Sequence, residues 1–136
     1  MTFSLYALLD DDAPRISIDS LGEDLRVFFR NEEDFSLEFE KLPFSQNMTL
    51  ALRWSDWLVR MSYEEGDDVK EDAIEIKKRA TPPAGLDVPQ ISRRIRVVFG
   101  NDDEQRYTNQ VIFVIDFLKA IGGVSIFDPQ QNDFLE

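Results

Sequence analysis

The hydrophobic pattern opens on Phe3 to Leu9, where Phe3, Leu5, Ala7 and Leu9 share one face of a predicted strand and Asp10-Asp11-Asp12-Ala13-Pro14 stops it. Ser20-Leu21-Gly22-Glu23 then has the spacing of a capping box. Leu21, Leu25, Phe28 and Phe29 recur at helical intervals up to about Arg30, which predicts a first helix ended by Asn31-Glu32-Glu33-Asp34. Phe35 to Glu40 alternates apolar with polar, as a strand does when only one face packs on a core.

After a loop at Pro43 to Asn47, the runs Met48 to Trp54 and Trp57 to Tyr63 are separated only by Ser55-Asp56, the signature of a tight hairpin. A two-residue turn pairs Trp54 with Trp57, Leu52 with Val59, Leu50 with Met61 and Met48 with Tyr63. One face is then wholly apolar, and Arg53 and Arg60 point to the other.

Asp67 to Ala80 reads as a second helix, with Val69, Ala73, Ile76 and Ala80 on one side. Its acids come first and Lys77-Lys78-Arg79 last, as the helix dipole favours. Thr81-Pro82-Pro83 forces a loop as far as Pro89. Arg94 to Phe99 is a further strand, Thr108 to Ile121 a third helix stopped by Gly122-Gly123, and Val124 to Phe127 a last short strand before a polar tail from about Pro129. The order β-α-β-β-β-α-β-α-β predicts a single α+β domain over residues 1–136, a two-layer sandwich of a largely antiparallel sheet with helices on one face.

Composition narrows the chemistry. The 136 residues include no cysteine and no histidine, which removes disulfides, thiolate nucleophiles, Ser-His-Asp triads and Cys- or His-ligated metals. No catalytic, cofactor-binding or metal-binding residue is assigned. The formal charge of −12 repels nucleic acid phosphates and anionic lipid, so a basic protein is the favoured partner. The apolar start lacks a basic leader, and no stretch reaches the roughly 20 apolar residues that span a bilayer. The expectation is a cytoplasmic protein with no membrane contact.

Four features are candidates for a partner-binding surface. Asp10, Asp11 and Asp12 follow a strand end, where carboxylates can hold a hard cation or simply terminate the strand in water. Glu32, Glu33 and Asp34 sit beside the clearest strand. Glu64, Glu65, Asp67 and Asp68 lack the ligand spacing of a calcium loop and suit a helix start, as do the acids of Asn101 to Glu104. Trp54 and Trp57 flank the turn, either as an exposed contact pair or as core. Arg93, Arg94 and Arg96 can grip an anion, but intramolecular pairing with this chain's own acids is the favoured use.

The small size, acidity, absence of Cys and His, and the closing stretch from Tyr107 to Gln131 together resemble the immunity proteins of bacterial polymorphic toxin systems. That resemblance implies a cytoplasmic, non-catalytic protein that binds and blocks a cognate toxin domain. Two other classes stay open: a nucleic-acid mimic that occupies a DNA- or RNA-binding protein, and a carboxylate-metal enzyme built on Asp10, Asp11 or Asp12.

Overall fold

The computed structural model describes residues 3–41, 43, 48–84, 86 and 88–135. Residues 44–47 of the expected Pro43 to Asn47 loop lie outside the described residues, as do 85 and 87 of the proline-rich loop. Among the described residues seven strands form one sheet: β1 (Phe3–Leu9), β2 (Phe35–Lys41), β3 (Met48–Trp54), β4 (Trp57–Glu65), β5 (Arg93–Phe99), β6 (Val124–Asp128) and β7 (Asp133–Phe134). Three helices accompany them: α1 (Ile18–Phe28), α2 (Asp67–Arg79) and α3 (Thr108–Ala120). The strand order is β2-β3-β4-β5-β1-β6-β7, and every neighbouring pair is antiparallel. The α+β class and the antiparallel sheet are therefore those expected.

The hairpin register is also the expected one from Trp54↔Trp57 through Leu52↔Val59 to Leu50↔Met61. The ladder stops there, so the proposed Met48–Tyr63 pair is not part of it; Met48 instead faces Lys41 of β2. Arg53 and Arg60 emerge on the far face, where Glu40 accepts from both, at 3.4 and 3.1 Å.

On the near face, Leu5, Leu50, Leu52, Val59, Met61, Ile95, Val97 and Phe99 pack with Leu21, Leu25 and Phe29 from the α1 segment and Val114, Phe117 and Leu118 of α3. Helix α1 begins three residues earlier than its expected capping box, with Ser17 as N-cap. Ser17 Oγ accepts from Ser20 N at 3.1 Å, and Ser20 Oγ accepts from Ser17 N at 3.0 Å. A serine hydroxyl thus does at N3 what Glu or Gln usually does. Gly22 lets this helix sit low on the sheet, since a Cβ there would meet the Phe39 ring at 3.0 Å and Leu50 at 3.3 Å.

Two details depart from expectation. Helix α2 does not join the others: Val69, Ala73 and Ile76 pack on the opposite face against Leu8 and Phe127, with Val88 and Ile91 beside them. The cause lies in β1 and β6, whose alternate positions Leu8 and Phe127 are apolar too, leaving a second face that water cannot cover. The polar tail also folds back as β7, where Phe134 meets Phe127 edge-on with centroids 5.3 Å apart.

Leu52 is fully buried at the centre of the hairpin. Leu52→Ala is expected to cost about 2–5 kcal/mol, read as a lower urea midpoint with an unchanged slope.

Candidate functional site

The sheet has two ends, and the acidic segments divide between them. Register places Glu65 and Leu9 on either side of Arg93, so Asp10, Asp11 and Asp12 share one end of the sheet with Glu64, Glu65, Asp67 and Asp68. Glu32, Glu33 and Asp34 precede Phe35, which pairs with Trp54, and so belong to the hairpin end.

At the first end the charges are largely used internally. Arg93 donates to three backbone carbonyls, those of Asp10, Ala13 and Pro14, at 2.7, 3.1 and 3.0 Å. Asp10 Oδ1 accepts from Asp12 N at 2.8 Å, which makes the triplet a turn. Gly123, at φ 69, backs this turn so closely that a Cβ would lie 2.5 Å from Ala13 N. Arg94, 7 % exposed, donates to Glu64 at 2.7 Å and Asp72 at 2.8 Å while its guanidinium lies 4.8 Å from the Tyr6 ring centroid. Burial works to lower the Arg94 pKa, but the hydrogen bonds and charges of Glu64 and then Asp72 outweigh it and hold it raised. Arg94 thus pairs with this chain's own acids as expected, whereas Arg93 binds backbone carbonyls instead.

A groove of about 900 Å³ opens at this end, lined by both signs of charge, including Asp11, Arg15, Tyr63, Glu65 and Arg93. Tyr63 Oη donates to Glu65 at 2.8 Å. Burial first, and then that hydrogen bond and the Glu65 charge, raise the tyrosine's pKa against a smaller opposing pull from Arg93. Among the described residues no group of three or more acids is placed to hold a metal ion, and no helix is long and apolar enough to cross a membrane.

The hairpin end is different. Both indoles are core: Trp54 and Trp57 are each 3 % exposed, so of the two readings open from the sequence the core one holds. Trp57 Nε1 donates to Gly100 O at 3.0 Å, and its ring stacks on Tyr107 at 4.8 Å and 6°. Among the described residues neither Trp54 Nε1 nor the buried Glu32 Oε1 has a hydrogen-bond partner.

Above these rings run three shallow clefts that share residues. The first, about 230 Å³, is lined by Phe28, Phe29, Asn31, Glu32 and Phe113. The second, about 320 Å³, takes in Asn31 and Glu32 again and adds Glu33, Asp34, Trp54, Ser55, Tyr107 and Gln110. The third, about 290 Å³, continues from Tyr107 past Asp56 and Trp57 to Asp102, Asp103, Glu104 and Arg106. The result is a trough with an aromatic floor, seven carboxylates along it and Arg106 as the one basic side chain among its described lining residues. Phe28 and Phe113, which line its first cleft, stand 44 and 40 % exposed, and Val27 and Ile112, adjacent to them in sequence, 60 and 49 %.

Of the sequence candidates, the structure thus joins Glu32, Glu33, Asp34 and the acids of Asn101 to Glu104 to Trp54 and Trp57 and leaves Asp10 to Asp12 and Glu64 to Asp68 at the far end. Sequence reasoning missed Tyr107, Arg106, Asp56 and the exposed apolar group. Its signal was present in α3, where Val111 to Ile115 is an unbroken apolar run: a helix lying on a sheet buries about one stripe, so two of these residues had to face outward.

Comparison with known proteins returns no match: no family model, no curated protein and no solved structure matches this chain.

The raised Tyr63 pKa fixes a sign. A proton held more tightly in the native state stabilises the fold fully below about pH 10 and ceases to do so as pH rises through the native value. Urea denaturation at rising alkaline pH should therefore show the wild type losing more stability than Tyr63→Phe. Equal losses in the two proteins count against the Tyr63–Glu65 coupling. Arg94→Ala should cost about 1–3 kcal/mol, less than a fully buried ion pair, because Glu64 and Asp72 keep contact with water.

Proposed function

We propose that this protein is a non-catalytic, cytoplasmic binding domain that recognises a basic protein through the trough at its hairpin end, and that its role is of the immunity kind, neutralising a toxin domain. The observation that carries this reading is the acid-lined trough with the exposed Phe28 and Phe113 in its lining. Carboxylates raise the encounter rate with a positive partner, whereas Val27, Phe28, Ile112 and Phe113 offer the apolar area that slows its release. The trough is broad and shallow, which suits a protein surface better than a small substrate. A nucleic-acid mimic would draw the acids onto one surface; here Asp10 to Asp12 and Glu64 to Asp68 lie at the opposite end of the sheet from Glu32 to Asp34.

The reading is tested by co-purifying the chain with the product of the neighbouring gene and measuring association rates. Raising salt from about 50 to 500 mM should slow association severalfold while changing dissociation less. The triple reversal Glu32→Lys, Glu33→Lys, Asp34→Lys should mimic high salt, and Phe113→Ala should instead speed dissociation. An association rate indifferent to both salt and the reversal would falsify the acidic-trough mechanism.

A further inference from the structure

We propose that this protein pairs with a second copy of itself through the outer edge of β2, joining two sheets into one across a two-fold axis at Leu37. Hydrogen-bond accounting locates the surface. The two-residue turn makes Trp54 and Trp57 a hydrogen-bonded pair, so the main-chain groups of Trp54, Leu52 and Leu50 turn toward β4 and those of Arg53, Ala51 and Thr49 toward β2. Leu58 agrees with this phase, since its carbonyl turns away from β3 to accept from Gly100 N at 2.7 Å. Ser36, Glu38 and Glu40 therefore bond to β3, and the N–H and C=O groups of Phe35, Leu37 and Phe39 point outward. Among the described residues no strand lies beyond β2, and no turn or loop backbone group bonds to these three.

The opposite edge of the sheet is closed. Its last strand, β7, is two residues long, and beyond the reach of β6 the Gln130 amide takes the place of a strand, accepting from Ser4 N and donating to Ser4 O, both at 2.8 Å. By contrast β2 runs for seven residues, and Phe35, Leu37 and Phe39 lie half-buried along it. A row of unpaired main-chain groups beside an apolar strip is a template for another strand.

The side-chain pattern selects a second copy as that strand. On its inner face Phe35-Ser36-Leu37-Glu38-Phe39 reads Phe, Leu, Phe in either direction, as a contact made by the same patch on both partners requires. Antiparallel pairing about Leu37 sets Phe35 against Phe39, Leu37 against its own counterpart, and the Ser36 hydroxyl against Glu38. At the ends of this ladder Glu40 approaches Asp34 of the other copy while Lys41 approaches Glu33, one repulsion beside one attraction. Moving the axis to Ser36 leaves Phe39 opposite Glu33. With the axis at Glu38 that carboxylate meets its own counterpart and Phe35 meets Lys41, and at Phe39 it opposes Glu38 to Glu40. Of these registers only that at Leu37 keeps the apolar side chains together without opposing like charges inside the strand. Helix α1 leaves room for it, because Gly22 seats the helix over Phe39 and Leu50 of β2 and β3. Two copies at −12 repel one another at long range, so the contact gains strength as salt screens them.

Sedimentation equilibrium over about 1 to 500 µM protein, at about 50 and 500 mM salt, tests the pairing. The chain should pass from monomer to dimer as concentration rises, and the dimer should be tighter at the higher salt. There Ser36→Lys, facing Glu38 of the other copy, should tighten the dimer severalfold, and Ser36→Glu should weaken it by a similar factor. Ser36 is exposed, so neither change disturbs the fold. Leu37→Cys puts one thiol into a chain that has none, at a position where paired Cα atoms about 5.5 Å apart are within disulfide reach. Mild oxidation should link two copies of this variant faster than two copies of Glu38→Cys. A chain that stays monomeric at every concentration and salt overturns the second copy as occupant and leaves the edge to a strand of another protein. A dimer that weakens at the higher salt, that ignores both Ser36 substitutions, or that crosslinks as readily through Glu38→Cys as through Leu37→Cys overturns the pairing about Leu37. Salt slows the capture of a basic partner but strengthens self-pairing, so this inference and the binding role proposed above fail separately.

Discussion

The packing of Trp54 against Trp57 across a two-residue turn is the contact on which the hairpin end depends. The indole centroids are 5.7 Å apart, and from them aromatic contacts spread outward: Phe29 at 5.1 Å and Phe35 at 5.0 Å from Trp54, Phe99 at 6.2 Å and Tyr107 at 4.8 Å from Trp57, and Phe3 stacked on Phe99 at 4.4 Å. Through these rings β1, β2, β5, the end of α1 and the approach to α3 meet one hairpin. The turn itself is not built from the residues that favour it. Ser55 takes φ 49 where glycine or asparagine would be at less cost, so tertiary packing rather than turn chemistry holds the register. Gly100 completes the arrangement, since a Cβ would lie 2.6 Å from the backbone oxygen of Leu58 and the chain could not pass so near Trp57.

The other end of the sheet is held by charge instead. Arg93 ties the loop after β1 through its carbonyls, and Arg94 joins β5 to β4 and α2 through Glu64 and Asp72. An acidic chain thereby spends its scarce cations where three elements must be joined, and leaves its surplus of carboxylates at the surface. The two halves of the far face follow the same division. Around Leu8 of β1 and Phe127 of β6 it is apolar and covered by α2, with Arg94 of β5 beside it reaching Asp72 of that helix, while over β2, β3 and β4 it carries Glu38, Glu40, Arg53 and Arg60 as an open ion-pair cluster. Such exposed pairs add little stability but keep that face wettable.

These physical differences explain what could be read from the sequence. The hairpin was legible because the period of two and the placement of Trp54 and Trp57 leave one register that puts every large apolar side chain on one face. The position of β1 between β5 and β6 was not, because both partners arrive late in the chain and no local pattern encodes which edges meet. The side chosen by α2 was obscured for a related reason. Leu8 and Phe127 mark an apolar second face only after β1 and β6 are known to be neighbours. The acids of the trough were visible one by one, yet their grouping depends on loops between three different pairs of elements, and Trp54 and Trp57 looked equally suited to surface or core.

Burial of the indoles bears directly on what the trough can do. A tryptophan projecting into water would meet a partner with rotamers still to be frozen, whereas Trp54 and Trp57 are fixed by the same contacts that fix the sheet. What they present is a rigid floor. Above it stand the carboxylate side chains, which suit long-range attraction, and beside it the Phe28 and Phe113 rings, which suit contact. Because the floor is also the core, its rings cannot be altered without loosening the hairpin, and variation in specificity must fall on the rim: Glu32, Glu33, Asp34, Arg106 and the exposed residues of α3. A scaffold of this form can change partners while keeping its fold, since the rim residues lie outside the aromatic network that the fold requires.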